Sequence, residues 1–132
     1  MYNLLVYLKV VAEYSKDVHY NLSGLPFLEN HEYMDKVNSE ALEYIDEINE
    51  QYYMYNDLPV PPAKEIMAEA IKLIPEVGSD KEMIERLLNA IKAIIYQAEE
   101  IKAENDKALG DLLGRLSSSF AKHYGLLLRI TK

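Results

Sequence analysis

The chain has 132 residues, of which 49% are hydrophobic and 27% are charged, so it can bury a sizeable core and is neither disordered nor of low complexity. It has 22 acidic and 14 basic residues, and the net charge of −8 disfavours binding to a phosphate backbone. It has no cysteine, which excludes disulfides and thiolate metal sites. We therefore expect one acidic domain over residues 1–132 that attracts cations.

No stretch of the sequence approaches the roughly 18 consecutive apolar residues that a membrane-spanning helix needs. The first residues, MYNLLVYLKVVAEYSKD, contain neither a basic start nor the small-residue cleavage site of a secretory signal. We therefore expect a cytoplasmic protein with no membrane partner.

Apolar residues recur at helical spacing in four stretches, and no stretch shows the strict alternation of a β-strand. The first such stripe comprises Leu4, Leu8, Val11, Tyr14 and Val18. The stripes and the helix-breaking residues between them predict five helices, the third of them short, over about 2–21, 27–55, 63–73, 80–104 and 107–130.

Particular residues mark the ends of these helices. Gly24 and Pro26 end the first helix, and the prolines between 59 and 62 end the second. Ser79 and Glu82 have the spacing of a capping box and begin the fourth. Short links join the first helix to the second and the fourth to the fifth, whereas a long link carries the short third helix. This order predicts an all-α, ferritin-like four-helix bundle with a long crossover.

Two pairs of residues could bind a metal ion. His19 lies near the end of the first helix and His31 near the start of the second, so antiparallel helices can bring them together. Asp46 and Glu50 lie one turn apart on the second helix, where two carboxylates can hold one cation. Each pair also has an ordinary interpretation, because histidines are more often structural and such acidic pairs are more often a hydrated helix face.

The spacing constrains any site that uses all four residues. His31 and Asp46 are 15 residues apart on one helix, which corresponds to roughly 22 Å at ~1.5 Å per residue. One subunit therefore cannot bring both to the same ion. If all four are ligands, the histidines come from one subunit and the carboxylates from another, and a two-fold axis generates two such sites.

These residues also carry a resemblance to a known family. The stretch His-Tyr-Asn-Leu-Ser-Gly from His19 is followed by Phe27, by His31-Glu32-x-x-Asp35 and by Asp46-x-x-x-Glu50. This pattern resembles the signature of the Dps mini-ferritins. The resemblance extends over about residues 4–130 and includes three later segments, Asn105-Asp106, Asp111-Leu112-Leu113 and Lys122-His123-Tyr124.

The resemblance implies a fold, an activity and a set of site residues. Dps proteins are ferritin-like shells of twelve subunits. They oxidise Fe²⁺ with hydrogen peroxide or O₂ at inter-subunit di-iron sites, store Fe³⁺ oxide in the cavity and protect against oxidative damage. The resemblance implies that the catalytic metal ligands here are His19, His31, Asp46 and Glu50. It further implies that Asp35 lies near the second iron ion and that Asp106 and Asp111 line a pore for ions. Zinc suits such a ligand set as well.

The sequence departs from the family pattern at several positions. Tyr20 stands where tryptophan is usual, and Ser23 replaces the usual basic residue before the glycine. Arg115 stands where the pore usually has a third acidic residue. The first helix is expected to begin almost at Met1, without a lysine-rich arm, so the resemblance gives no basis for DNA binding.

A helical bundle with these residues has two other interpretations. An ordinary di-iron bundle needs Glu-x-x-His on two helices. It is excluded because the residues three positions before the histidines are Lys16, Leu28 and Phe120. A non-enzymatic acidic bundle that acts as an adaptor or assembly protein remains an alternative, and we would expect it to be a monomer or dimer without iron-dependent activity.

Overall fold

The computed structural model describes residues 1–24 and 26–131, and in those ranges it contains helices and no β-strand. The α-helices are α1 (Tyr2–Asn21), α2 (Phe27–Ile48), α3 (Ala63–Ile71), α4 (Asp80–Glu100) and α5 (Lys107–Ile130). A π-helical segment (Asn49–Met54) continues α2. Leu25, which belongs to the predicted Gly-Pro turn, and Lys132, the last residue of the predicted domain, lie outside the described residues.

The apolar stripes of the sequence form one core. α1 packs against α2, α4 and α3, and α4 pairs with α5. Tyr14 of α1 and Phe120 of α5 are among the largest fully buried side chains, and each such residue contributes roughly 1.5–3 kcal/mol through burial. The structure is therefore the all-α bundle of four long helices that the sequence predicted, with α3 on the crossover. None of the helices described in residues 1–24 and 26–131 is both long and apolar enough to cross a membrane.

The second helix differs from the continuous α-helix expected over 27–55. α2 ends at Ile48, and the chain continues as a π-helix to Met54, in which hydrogen bonds join residues five apart. The segment ends in a turn where Asp57 adopts a φ of 55°, a left-handed conformation that aspartate tolerates better than most residues. Apolar periodicity did not reveal the π-helix, because the α-helical spacing continues from Ile48 to Tyr52, whereas the structure buries Tyr53 and leaves Tyr52 half-buried.

The ends of α3 and α4 also differ from expectation. α3 ends at Ile71, two residues before the predicted end. α4 has the predicted Ser79–Glu82 capping box, but it ends at Glu100 rather than at 104. The reversal into α5 takes up the difference, since the link contains a turn closed by the Asp106 N–H and the Ala103 carbonyl. A longer α4 would remove the residues that make this turn.

The bundle is least tightly closed between α2 and α5, which meet over only a short stretch. Two cavities of about 310 and 260 Å³ lie along this groove, and both are lined by Lys36 and Glu40. Glu43, Glu47 and Arg115 line the larger cavity. The α2–α5 groove is therefore polar and accessible to water and ions.

Candidate metal site

His19 and His31 hold each other in place. Their imidazole rings are stacked, with 3.6 Å between ring centroids and 19° between ring planes. Nδ1 of His19 lies 2.6 Å from the His31 carbonyl oxygen, and Nδ1 of His31 lies 2.6 Å from the His19 carbonyl oxygen. This reciprocal pair joins the last turn of α1 to the first turns of α2, so the two histidines meet, as antiparallel helices allow.

The hydrogen bonds assign the tautomer of both rings. A carbonyl oxygen can only accept, so each Nδ1 carries a proton and donates it. In a neutral imidazole the other nitrogen, Nε2, then has a free lone pair. Metal-binding histidines usually donate their second ring nitrogen to a carbonyl or carboxylate in this way, which fixes the ring for its metal. The pair therefore offers two Nε2 atoms of neighbouring rings as metal ligands.

The surroundings of the pair hold the rings further. The last carbonyl groups of a helix lack partners within it, and the hydrogen bond from His31 satisfies one of these groups at the end of α1. Phe27 packs against His31 with 5.0 Å between ring centroids, and Tyr20 packs against His19 edge-on at 5.1 Å. His19 itself is only 8% exposed. Both rings are thus fixed by packing as well as by hydrogen bonds.

Asp35 lies beside the pair and is held by a lysine. Its Oδ1 atom is 3.5 Å from His19 Nδ1 and accepts a hydrogen bond of 2.5 Å from Lys16 Nζ. This hydrogen bond is the main reason why the pKa of Asp35 lies below its usual range, with a smaller contribution from His19. Lys16, one turn before His19, is thus paired with a carboxylate beside the histidines. A metal ion bound by Asp35 must therefore compete with an ammonium group.

Asp46 and Glu50 lie far from the histidines along the chain direction of α2. Asp46 is in the last turn of α2 and Glu50 is in the π-helical segment, and both side chains are exposed. Among the described residues, no group of three or more His, Asp and Glu side chains converges as a metal site. The single chain thus brings His19 and His31 together, with Asp35 on the Nδ1 side. It leaves Asp46 and Glu50 apart from them.

Asp106 and Asp111, the expected pore residues, have partners within the chain. Asp106 is the N-cap of α5, and its carboxylate accepts a hydrogen bond of 3.0 Å from the Leu109 N–H. Asp111 accepts a hydrogen bond of 3.1 Å from Arg115 Nε, and Arg115 Nη1 also reaches Glu47 at 3.3 Å. The arginine therefore offsets part of the negative charge at this end of α5.

A buried polar cluster around His123 was not evident from the sequence. His123 of α5 is 4% exposed, with Nε2 at 2.6 Å from a Glu40 oxygen and Nδ1 at 2.5 Å from the Tyr33 hydroxyl. A carboxylate oxygen accepts, so Nε2 donates to Glu40, and in the neutral ring Nδ1 then accepts from the Tyr33 hydroxyl. Burial, with the charge of Glu40, raises the pKa of Tyr33 to about 12. The only sequence signal was that Tyr33 and Glu40, seven residues apart, share a helix face.

The helix order is that of a four-helix bundle with a long crossover, and the paired histidines form a candidate metal site in it. Comparisons with known proteins define the fold further. No protein-family model and no curated protein sequence matches the chain. Among solved structures, the chain is similar to the X-ray structure of Dps from Thermosynechococcus elongatus, with a TM-score of 0.81. The two share 24% sequence identity, and the match covers 98% of this chain and 85% of that chain. The likeness establishes a ferritin-like fold of the Dps type, as the sequence predicted, and at this identity it establishes the fold alone.

Proposed function

We propose that this protein is a mini-ferritin, a cytoplasmic ferroxidase that oxidises Fe²⁺ and stores Fe³⁺ oxide within a shell of twelve identical subunits. The observation that carries the proposal is the reciprocal pair of His19 and His31, which occupies both Nδ1 atoms and leaves both Nε2 atoms without a hydrogen-bond partner among the described residues. A fold similar to that of a solved Dps protein supports it. Iron is the substrate in this proposal, and neutral imidazole with carboxylate suits Fe²⁺ as well as Zn²⁺.

In this proposal the carboxylates come from a second copy of the chain. His31 lies near the start of α2, whereas Asp46 and Glu50 lie at and beyond its final turn. If two α2 helices run antiparallel across a two-fold axis, the histidines of each copy approach the carboxylates of the other. We define the α2 stripe as the residues at spacings of three and four that connect the two ends, which are His31, Asp35, Asn38, Leu42, Ile45 and Asn49.

The charges along the α2 stripe favour an antiparallel partner. The end with the histidines also has Lys16 of the neighbouring helix, and the opposite end has Asp46 and Glu50. Antiparallel pairing places the Lys16–Asp35 pair of each copy towards the acidic pair of the other, whereas parallel pairing would bring the two acidic pairs together. Leu42, in the middle of the stripe, is 42% exposed, and a second copy would cover it.

The proposed reaction uses two iron ions at each shared site. They bind to His19 and His31 of one subunit and to Asp46 and Glu50 of the other, with Asp35 near the second ion. Each Fe²⁺ gives up one electron. The two electrons and two protons reduce hydrogen peroxide to two molecules of water, or O₂ to hydrogen peroxide. The Fe³⁺ then leaves as oxide into the cavity, which the polar α2–α5 groove would line. Consuming peroxide away from free Fe²⁺ protects the cell from radicals.

Two further parts of the proposal concern the shell. We propose that Asp106 and Asp111 line a pore for ions and that Arg115 weakens the attraction of this pore for cations, because it pairs with Asp111. We also propose that the shell does not bind DNA, because each chain has a net charge of −8.

The rate of Fe²⁺ oxidation by hydrogen peroxide, followed by the absorbance of Fe³⁺, tests the proposed function. Asp46→Ala is expected to lower the rate by about tenfold or more, because it removes an anionic ligand. Its assembly size, measured by light scattering, should be unchanged. Glu85→Ala, which removes an exposed carboxylate from α4, is the matched control and should keep the full rate. A wild-type rate equal to that of Fe²⁺ and peroxide alone would contradict the proposal and favour a non-enzymatic adaptor.

A further inference from the structure

A carboxylate from α4 binds the turn that separates the two histidines. Asp80 is the first residue of α4, and its side chain accepts hydrogen bonds from the backbone N–H groups of Ser23 at 3.1 Å and Gly24 at 2.7 Å. It also accepts one from the Ser23 hydroxyl at 3.3 Å. We call this set of contacts the Asp80 clamp. It joins the end of α1 to the start of α4, across more than 50 residues of sequence.

The Asp80 clamp supplies hydrogen-bond acceptors to two backbone N–H groups that follow α1. The Leu22 N–H still bonds to the Val18 carbonyl, but Leu22 is extended and the next two N–H groups point to Asp80. Hydrogen bonds from an N–H group to an ionised carboxylate are stronger than those between neutral groups. The negative charge of Asp80 is also favoured at the N-terminus of α4. Both the turn and α4 therefore favour this position of the carboxylate.

Gly24 is suited to the clamp for a steric reason. A Cβ atom at this position would lie 2.9 Å from Asp80 Oδ2, which is too close for an ordinary contact. No glycine among the described residues has a positive φ. The close approach of the carboxylate, rather than the backbone conformation, therefore accounts for a glycine at this position.

We propose that Asp80 is a positioning residue for the His19–His31 pair. The reciprocal hydrogen bonds form only if the end of α1 and the start of α2 keep a fixed separation, and the turn between them sets it. The clamp ties this turn to α4, which is itself packed against α1 and α5. With the turn fixed, both rings donate from Nδ1 and both keep Nε2 for a metal. The consequence for metal binding rests on the proposed function, whereas the state of the rings does not.

Solid-state NMR of the complete, metal-free protein with ¹⁵N-labelled histidine rings tests the proposal, because it reads each tautomer whatever the size of the assembly. At mildly alkaline pH, where imidazole is neutral, wild-type His19 and His31 should carry the proton on Nδ1. His123 should carry it on Nε2 and serves as an internal reference of the opposite tautomer. Asp80→Asn, which has one acceptor oxygen and no charge, should give mixed tautomers at His19 and His31 and leave His123 unchanged.

A second variant keeps the carboxylate and disturbs the clamp from the other side. Gly24→Ala should displace Asp80 Oδ2 and reproduce the mixed tautomers, whereas Glu85→Gln, the matched loss of a carboxylate on α4, should behave as wild type. Zinc affinity, measured by titration of the metal-free protein, should fall by about tenfold in both clamp variants. Unchanged tautomers and unchanged zinc affinity in both variants would overturn the positioning role. Mixed tautomers in a protein whose wild type does not oxidise iron would support the clamp and overturn the proposed function instead.

Discussion

The three histidines differ in how their ring nitrogens are used. His123 uses both of them within the chain, whereas His19 and His31 each use Nδ1 and keep Nε2. The sequence indicated that His19 and His31 could meet, because a short turn places the ends of antiparallel helices side by side. It did not predict which nitrogen is used, since this depends on where a carbonyl oxygen lies relative to the ring. The partners of His123 were hidden for a similar reason, because Tyr33 is 90 residues away in the sequence.

The Tyr33 hydroxyl makes the free energy of unfolding depend on pH in the alkaline range. Its pKa is raised to about 12 in the folded state, while an unfolded tyrosine ionises near pH 10. Between these two values the unfolded chain binds fewer protons at this residue, so the free energy of unfolding falls as pH rises. Tyr33→Phe should remove this contribution and make the fall between about pH 10 and 12 shallower. Urea unfolding at a series of pH values measures it.

The same variant gives a second result at neutral pH. Without the hydroxyl, Nδ1 of the buried His123 loses its partner, which should lower the free energy of unfolding by about 1–3 kcal/mol. Tyr96→Phe is the control, because Tyr96 is 59% exposed on α4 and should change neither quantity. An equally steep alkaline fall in Tyr33→Phe and wild type would show that Tyr33 does not ionise as described.

At the scale of helices, the sequence predicted the four long elements and missed two of their ends. The long helices followed from apolar stripes, because residues such as Leu112 and Ile94 are fully buried at the predicted spacing. The π-helix and the early end of α4 depend on how the chain turns towards its neighbours, which the stripes do not encode.

The π-helix begins at Asn49, the last residue of the α2 stripe. Among the described residues, Asn49 Oδ1 is buried without a hydrogen-bond partner, beside a cavity of about 140 Å³ lined by Leu42 and Ile45.

The proposed pairing of two α2 helices makes a prediction about distance. Asn38 and Leu42 lie midway between His31 and the acidic pair, so the two-fold axis should pass near them. The chain has no cysteine, and Leu42→Cys therefore introduces a single thiol. A short bis-maleimide should join two such chains into a covalent dimer, visible on a denaturing gel. Ser39→Cys is the control, because Ser39 lines the α2–α5 groove and should not be cross-linked across the axis. Cross-linking through Ser39 and not through Leu42 would contradict this arrangement.

At the scale of the whole molecule, the sequence predicts the fold of one chain better than it predicts how the copies assemble. The likeness to Dps from Thermosynechococcus elongatus extends over 98% of the chain at 24% identity. Many combinations of apolar residues can fill the same core, so most positions carry no information about the family. The few residues that carried the resemblance, from His19 to Glu50, have specific chemistry at fixed spacing. The proposed shell would depend on surfaces that meet only between copies, and a single chain would contain half of each proposed site.

The central claim is that each metal site is shared between two copies, and mixing two defective variants tests it most directly. One variant carries His19→Ala and His31→Ala, and the other carries Asp46→Ala and Glu50→Ala. Each alone should oxidise Fe²⁺ no faster than the uncatalysed reaction. When the two are refolded together, mixed dimers should contain one site with all four ligands and one with none. Random pairing should then restore about a quarter of the wild-type sites and a corresponding rate of Fe²⁺ oxidation. If the co-refolded mixture forms assemblies of the wild-type size and remains inactive, the ligands are not shared across the interface, and the proposed site is wrong.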